Sequence, residues 1–459
     1  MSKIKFTVLL LGSLLIGNAN LQAAAKTSKH VSTERKTEAE VVEKEPAPAI
    51  ETTDDDKLVT QRELQGLNSE VALLRDQLTR QLDRNIANSA RSLTISGILQ
   101  NRYTGVTSSN VPQASNGFSF GSAAVVSFSG ALKKDYDEGR NLTYVFSLNG
   151  AIAPYNVQPN DVYLQYSIFQ SLDPEKSTLN FVFGQQKKPF GLEPQVGEDK
   201  TPAANTAIFA GGSGLNLAAR DFGIQFKGDF FPAYDAGYNY RVPFIEYAVG
   251  LYNGSGANAT DTNKSKDVVA RIALNAPVDY SSDFRGLTFG SSIYTGKKDL
   301  ALNNGGTLIT GGGGSASRVR YGQDISYVSS PIGFTAEYAV GRDESALSGT
   351  TIANAVKSTT ESRGYTLTLF YQWGEQFLKL ARNEDRLDDW WPKTYQPFIR
   401  IDHWDPNTAI SGNETSIVTY GFNLFFAQTT KLQLNYNVSN IRATNTKANQ
   451  FIAQFQFGF

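Results

Sequence analysis

Gln450-Phe451-Ile452-Ala453-Gln454-Phe455-Gln456-Phe457-Gly458-Phe459 closes the sequence. Phe451, Ala453, Phe455, Phe457 and Phe459 fall on every second position, with Gln454, Gln456 and Gly458 between them. Successive side chains of a strand point to opposite faces, so this stretch has one apolar and one polar face. As a free edge it would be an aggregation hazard in a soluble sheet. In a closed barrel it pairs with the first strand and no edge remains.

The same period of two runs back to residue 93. Leu93, Ile95 and Leu99 alternate with Thr94, Ser96 and Gln100. Phe222, Ile224 and Phe226 alternate with Asp221, Gln225 and Lys227. Tyr365, Leu367, Leu369 and Tyr371 alternate with Thr366 and Thr368. A soluble sandwich shows this alternation too. A membrane barrel is favoured by an export signal, by the terminal strand and by aromatics at strand ends: Tyr103, Tyr136, Tyr163, Tyr294, Trp373 and Trp404, as interfacial girdles require. Connections alternate between long (105–116, 189–219, 253–266, 296–318, 342–360, 405–415, 440–448) and short (133–140, 171–177, 329–333, 428–430). Counting 377–382 gives 17 strands with the ends on opposite sides; dropping it gives 16, with 374–393 a long periplasmic excursion. The expected fold is an all-β, 16-stranded antiparallel transmembrane β-barrel over 93–459, wide enough for an aqueous channel.

The chain before residue 93 reads differently. Lys3 and Lys5 precede the apolar run Phe6–Gly17 and the small residues Ala23-Ala24-Ala25, so 1–25 reads as a secretory signal peptide. Residues 26–56 are charged, contain Pro and lack aromatics, which suits a disordered linker. In 57–90, Leu64, Leu67, Val71, Leu74 and Leu78 recur at spacings of three and four, which predicts a short periplasmic amphipathic helix or coiled coil.

Composition excludes several chemistries. With 459 residues, 43 Lys and Arg stand against 44 Asp and Glu, a net charge of −1, which disfavours a nucleic-acid binder. There is no Cys and there are two His, so thiolate and multi-His metal sites are out, and no cofactor is called for. His403, between Asp402 and Trp404, is a strand-end residue rather than part of a nucleophile–base pair, and no enzyme is expected.

Parity places Arg102, Lys188, Lys227, Arg271 and Arg400 on the lumen face, with Asp221, Asp267 and Asp402. Residues 189–219 form a connection far longer than is usual, and such loops are commonly functional. Lys187, Lys188 and Lys200 flank it on one side and Arg220 stands at its exit. The segment reads either as a basic constriction or, because Glu193, Glu198 and Asp199 share it, as a solvated loop of mixed charge.

The stretch Phe183-Gly184-Gln185-Gln186-Lys187-Lys188-Pro189-Phe190-Gly191-Leu192-Glu193 resembles the strand-to-loop motif of phosphate-selective porins O and P. Arg220-Asp221-Phe222-Gly223-Ile224-Gln225, Gly250-Leu251-Tyr252-Asn253-Gly254-Ser255-Gly256, residues 397–407 and the last two strands are similar to further segments of that family. The alternating end on Phe459 also resembles the recognition signal of outer-membrane barrel assembly. The resemblance implies a homotrimer of 16-stranded channels in the outer-membrane lipid bilayer, a third external loop that narrows the pore, and basic lumen residues guiding inorganic anions. One departure stands out: the second strand, Gly121-Ser122-Ala123-Ala124-Val125-Val126-Ser127-Phe128, lacks the family's arginines. The expected function is a passive channel for small hydrophilic solutes with a preference for anions such as phosphate. The alternative is a non-selective pore that also tethers the outer membrane through its N-terminal helix.

Overall fold

The computed structural model describes residues 92–459, apart from 110–115, 136–138, 152–155, 170–172, 198–199, 236, 239, 262, 301, 305–306, 310–313, 329–330, 349–350, 353–354, 375–391 and 428, together with Val71 and Leu74. The expected signal peptide and linker lie outside these residues. So does the 57–90 helix, except that Val71 and Leu74 are both helical and exposed.

Sixteen antiparallel barrel strands, with the two-residue strand Trp373–Gly374 prolonging the twelfth, form one closed sheet. They are β1 (Thr94–Ser109), β2 (Gly117–Lys133), β3 (Leu142–Asn149), β4 (Gln158–Ser167), β5 (Leu179–Lys187), β6 (Arg220–Asp235), β7 (Tyr240–Tyr252) and β8 (Asp267–Asn275). There follow β9 (Leu287–Asp299), β10 (Ser315–Val328), β11 (Ile332–Ser348), β12 (Val356–Tyr371), β13 (Thr394–Asp405), β14 (Thr415–Phe425), β15 (Lys431–Ile441) and β16 (Thr446–Gly458). Each strand pairs with its neighbours in sequence, and β16 returns to β1 in the register Ile98↔Gly458 to Gly105↔Phe451. Beyond the strand, Gly97 and Phe459 exchange N–H···O bonds of 3.0 and 3.1 Å. The terminal alternating segment thus completes the cylinder and leaves no open edge, the condition for a sheet to cross lipid.

Alternation along each strand is resolved into two surfaces. Phe183, Phe222, Ile293, Leu367 and Leu369 point outward, each between 42% and 49% exposed. An apolar belt of this extent needs lipid against it. Gln100, Gln225, Arg320, Asp324, Arg400, Gln433 and Gln454 are on the other face and buried. The barrel is an outer-membrane barrel by this arrangement, with an apolar belt outside and a polar interior. The end carrying the short turns and both barrel termini is the periplasmic one in barrels of this kind.

Ring pairs mark both rims of the belt. Trp373 stacks on Tyr395 at 5.6 Å and Phe230 on Tyr247 at 4.8 Å near the periplasmic end, and Tyr103 meets Phe118 at 5.1 Å near the other. Of the six aromatics expected there, Tyr103 and Trp373 take that place. Tyr294 and Trp404 instead point inward and are buried, and Tyr163 lines the lumen. Their even or odd position relative to Ile293, His403 and Leu164 decides this; an aromatic near a strand end need not face lipid. Tyr136 is outside the described residues.

Four expected long connections are shorter than their sequence suggests: of 105–116, residues to Ser109 belong to β1, and of 440–448 only 442–445 lie outside β15 and β16. Of 342–360, residues to Ser348 belong to β11 and residues from Val356 to β12. Of 296–318, β9 runs to Asp299 and β10 starts at Ser315, with a small hairpin of Leu302–Asn304 and Thr307–Ile309 between them. Above the membrane both faces of a hairpin are wet, so backbone pairing continues where the apolar alternation has stopped. Segment 377–382 lies outside the described residues, and the sheet closes with sixteen strands without it.

Candidate functional site: a loop folded into the lumen

The chain leaves β5 at Lys187 and returns at Arg220, and the connection between them turns into the barrel. Its local shape comes from short-range turns: Phe190 N–H bonds to the Lys188 carbonyl at 2.9 Å, Lys200 N–H to Gly197 at 2.9 Å and Leu215 N–H to Phe209 at 2.7 Å. Gly191 sits at φ 69°, a left-handed turn that side-chain-bearing residues resist.

Apolar residues of the loop fill the interior. Phe190, Phe209, Leu215 and Leu217 are buried with Tyr252, Val269, Tyr294, Ala339 and Trp404 of the wall. Three wall glycines on adjacent strands make room for them. A Cβ on Gly322 would lie 2.8 Å from the Phe190 ring, one on Gly341 would overlap Leu215 and one on Gly364 would overlap Phe209. Burial of a side chain the size of Phe or Leu is worth about 1.5–3 kcal/mol, which makes the loop a fixture.

Polar anchors fix its far side. The Arg102 guanidinium donates to the Ala204 carbonyl at 2.7 Å and to Asn205 Oδ1 at 2.8 Å. Arg400 donates to the Asn205 carbonyl at 2.8 Å, Lys431 to the Thr201 carbonyl at 2.8 Å and Gln433 to the Pro202 carbonyl at 2.9 Å. Gly191 N–H donates to Ser292 Oγ at 3.0 Å and Glu193 N–H to Glu337 Oε2 at 2.9 Å. Glu193 in turn accepts from Ala207 N–H at 2.7 Å and from Arg400 at 3.1 Å. Burial pushes the Glu193 carboxyl above the usual range, against the pull of Arg400.

The loop divides the interior. Between it and the wall of β2–β6 lies a passage of about 430 Å³ lined by Ser127, Ser147, Asn160, Asp161, Tyr163, Lys187, Gly197, Arg220 and Lys227. It shares Gln195, Gln225 and Lys227 with a second space of about 360 Å³ that reaches Asp229, Glu246 and Arg271. On the other side, against β10–β14, is a chamber of about 670 Å³.

The eight basic residues singled out in the sequence all face this interior, but they do not form one cluster. Lys187, Arg220 and Lys227 line the passage. Arg220 is held by Asp161 in a two-point pair at 2.8 and 2.9 Å. Lys188 lies under the loop with its Nζ 5.5 Å from the Tyr294 ring centre, and burial pushes its ammonium down to about 8. Lys200 is exposed and lines the separate chamber. Arg271 is paired with Asp324. Arg102 and Arg400 hold the loop, as above.

The sequence reading passed over Arg318 and Arg320. Arg318 pairs with Asp267, and Arg320 pairs with Asp343 at 2.8 Å and donates to the Leu215 carbonyl. Their alternation with Val319 and Tyr321 was the available signal. Asp161 was missed because it stands near the start of β4, next to residues with little apolar alternation. Among the described residues no group of acids and histidines is arranged to hold a metal ion.

No protein-family model and no curated protein matches the chain. Solved structures do. The barrel is similar to OmpT, an outer membrane protein of Vibrio cholerae in its trimer form, with a TM-score of 0.52 and 8% identity, covering 81% of this chain and 100% of that one. It is also similar to Salmonella typhi OmpF in complex with daunomycin, with a TM-score of 0.50 and 12% identity, covering 81% and 99%. At these identities the likeness is one of fold, and the fold is that of outer-membrane porins.

Proposed function

We propose that this protein is a passive outer-membrane channel for small hydrophilic solutes, with a preference for inorganic anions such as phosphate, working as a homotrimer. The observation that carries the reading is the passage beside the loop, where Lys187, Arg220 and Lys227 converge. Lys227 makes no ion pair with a described residue, so its charge is available to a passing solute. Within a low-dielectric wall a few such charges set ion preference more than overall net charge does. The similarity to porins O and P in residues 183–193 and 220–225 points to phosphate, and the trimer form recorded for the Vibrio cholerae protein is consistent with a trimer. His403 faces outward, stacks on Tyr365 at 5.1 Å and bonds Ser416 Oγ at 3.0 Å, away from the lumen.

A second reading, a non-selective pore, is favoured by the ion pairs that neutralise Arg220, Arg271, Arg318, Arg320 and Arg400. Tethering through 57–90 would belong to that reading. Reversal potential in planar bilayers under a KCl gradient separates the two. An anion-selective sign with chloride current blocked by added phosphate supports the first; zero or cation-selective potential without block supports the second.

A further inference from the structure

The chamber on the far side of the loop is chemically unlike the passage. Leu192, Val196 and Pro202 of the loop face Phe370 and Phe425 of the wall across about 670 Å³. This volume falls within the range of about 300–1,000 Å³ typical of small-molecule sites. A lumen needed only for hydrated ions has no use for an apolar wall, because such ions keep their water. Thr335 and Thr368 add hydroxyls to it.

Most charge at the chamber is already engaged. Arg400 is paired with Glu193 at 3.1 Å and with Asp402 at 2.8 Å. Glu337, buried deeper in the wall, accepts the N–H of Glu193 through Oε2 but makes no ion pair with a described residue, so a bound anion has to sit at the opposite, exposed side of the chamber. Lys200 is different: it is exposed, it lines the chamber, and it forms no ion pair with a described residue. An apolar wall with one available ammonium at its margin fits a solute that has a compact apolar body and one negative group.

We infer that this chamber is a binding site for organic monoanions with an apolar body, such as aromatic carboxylates, with the carboxylate at Lys200 and the body against Leu192, Val196 and Phe370. The inference rests on the channel reading above and narrows it. Inorganic ions take the passage lined by Lys187 and Lys227, whereas an amphipathic anion pauses in the chamber.

The test uses the full-length protein in planar bilayers with symmetric KCl and adds benzoate, acetate and benzylammonium in turn. Benzoate is expected to interrupt the current at a concentration about tenfold or more below that of acetate, because burying a phenyl ring is worth at least that factor. Val196→Ser should raise the blocking concentration of benzoate and leave that of acetate unchanged, whereas Lys200→Gln should raise both. Equal potency of benzoate and acetate overturns the proposal, as does benzylammonium block as strong as that of benzoate. Should Val196→Ser not assemble, Leu192→Thr tests the same wall. Calorimetric titration of benzoate into the protein in detergent reads the chamber independently of conduction. Binding without KCl conductance would sink the channel reading and keep the site; conductance without binding would do the reverse.

Discussion

Arg400 of β13 donates from Nη1 to Glu193 Oε1 of the inward loop at 3.1 Å, the guanidinium buried and the carboxylate largely so. The pair ties the inward loop to the wall opposite the strand from which the loop departs. Removing one partner of a buried pair leaves the other charge stranded and costs about 3–5 kcal/mol. Arg400→Gln should therefore release the loop. Single-channel recordings should show larger and noisier conductance, and the barrel should lose its compact gel mobility at a lower temperature than the wild type.

Gly364→Val should act on the same loop from another side. The added side chain overlaps Phe209, which is packed in the lumen, and overpacking of this kind costs about 1–3 kcal/mol. Increased cleavage within 203–217 by added protease checks this, with the barrel itself remaining heat-modifiable. An unchanged digestion pattern would mean that the glycine slot does not hold the loop.

Lys188 supplies a pH dependence. Burial lowers its ammonium to about 8, with Asp221 opposing the shift. Between about pH 8 and the ordinary lysine value the folded protein loses this proton while an unfolded chain keeps it. The unfolded state then binds more protons, so stability through this group rises with pH over that window. The lumen loses a positive charge over the same window. Anion selectivity, read from reversal potential, should fall between pH 7 and 9, and Lys188→Met should be flat with pH at the high-pH value.

Asp161 neutralises Arg220 at the passage. Asp161→Asn removes the negative partner while keeping the shape, so the reversal potential should move toward anion selectivity. Arg220→Gln should move it the opposite way. Identical shifts for the two variants would show that the pair lies off the conduction path.

Phe459 tests closure. It exchanges two backbone bonds with Gly97, and its ring lies over that glycine's Cα. Deleting Phe459 removes both bonds at the seam between β1 and β16. The heat-modifiable, folded fraction recovered from outer membranes should drop, while total synthesis stays level.

The barrel was legible in the sequence because a strand's two faces meet two different solvents. Residues such as Leu367 and Thr366 record that difference position by position, and the alternation in 450–459 marks the seam. The length of 189–219 likewise showed that this loop was unusual. What the loop does was decided by tertiary structure. Phe209 and Leu215 are apolar in a loop, which is compatible with several placements, and only Gly364 and Gly341, more than 100 residues away in sequence, provide the slots that receive them. The same holds for charge. Parity put Arg102, Arg271 and Arg400 inside and Arg220 stood at the exit of the loop, but each is bound to a partner contributed by a distant segment. Pairing across a closed sheet depends on register and on how the loop crosses the lumen, and neither is encoded in the period of a single strand. Local periodicity determined which face of each strand meets water; the closing of the cylinder around its own loop decided which of the inward charges a solute can reach.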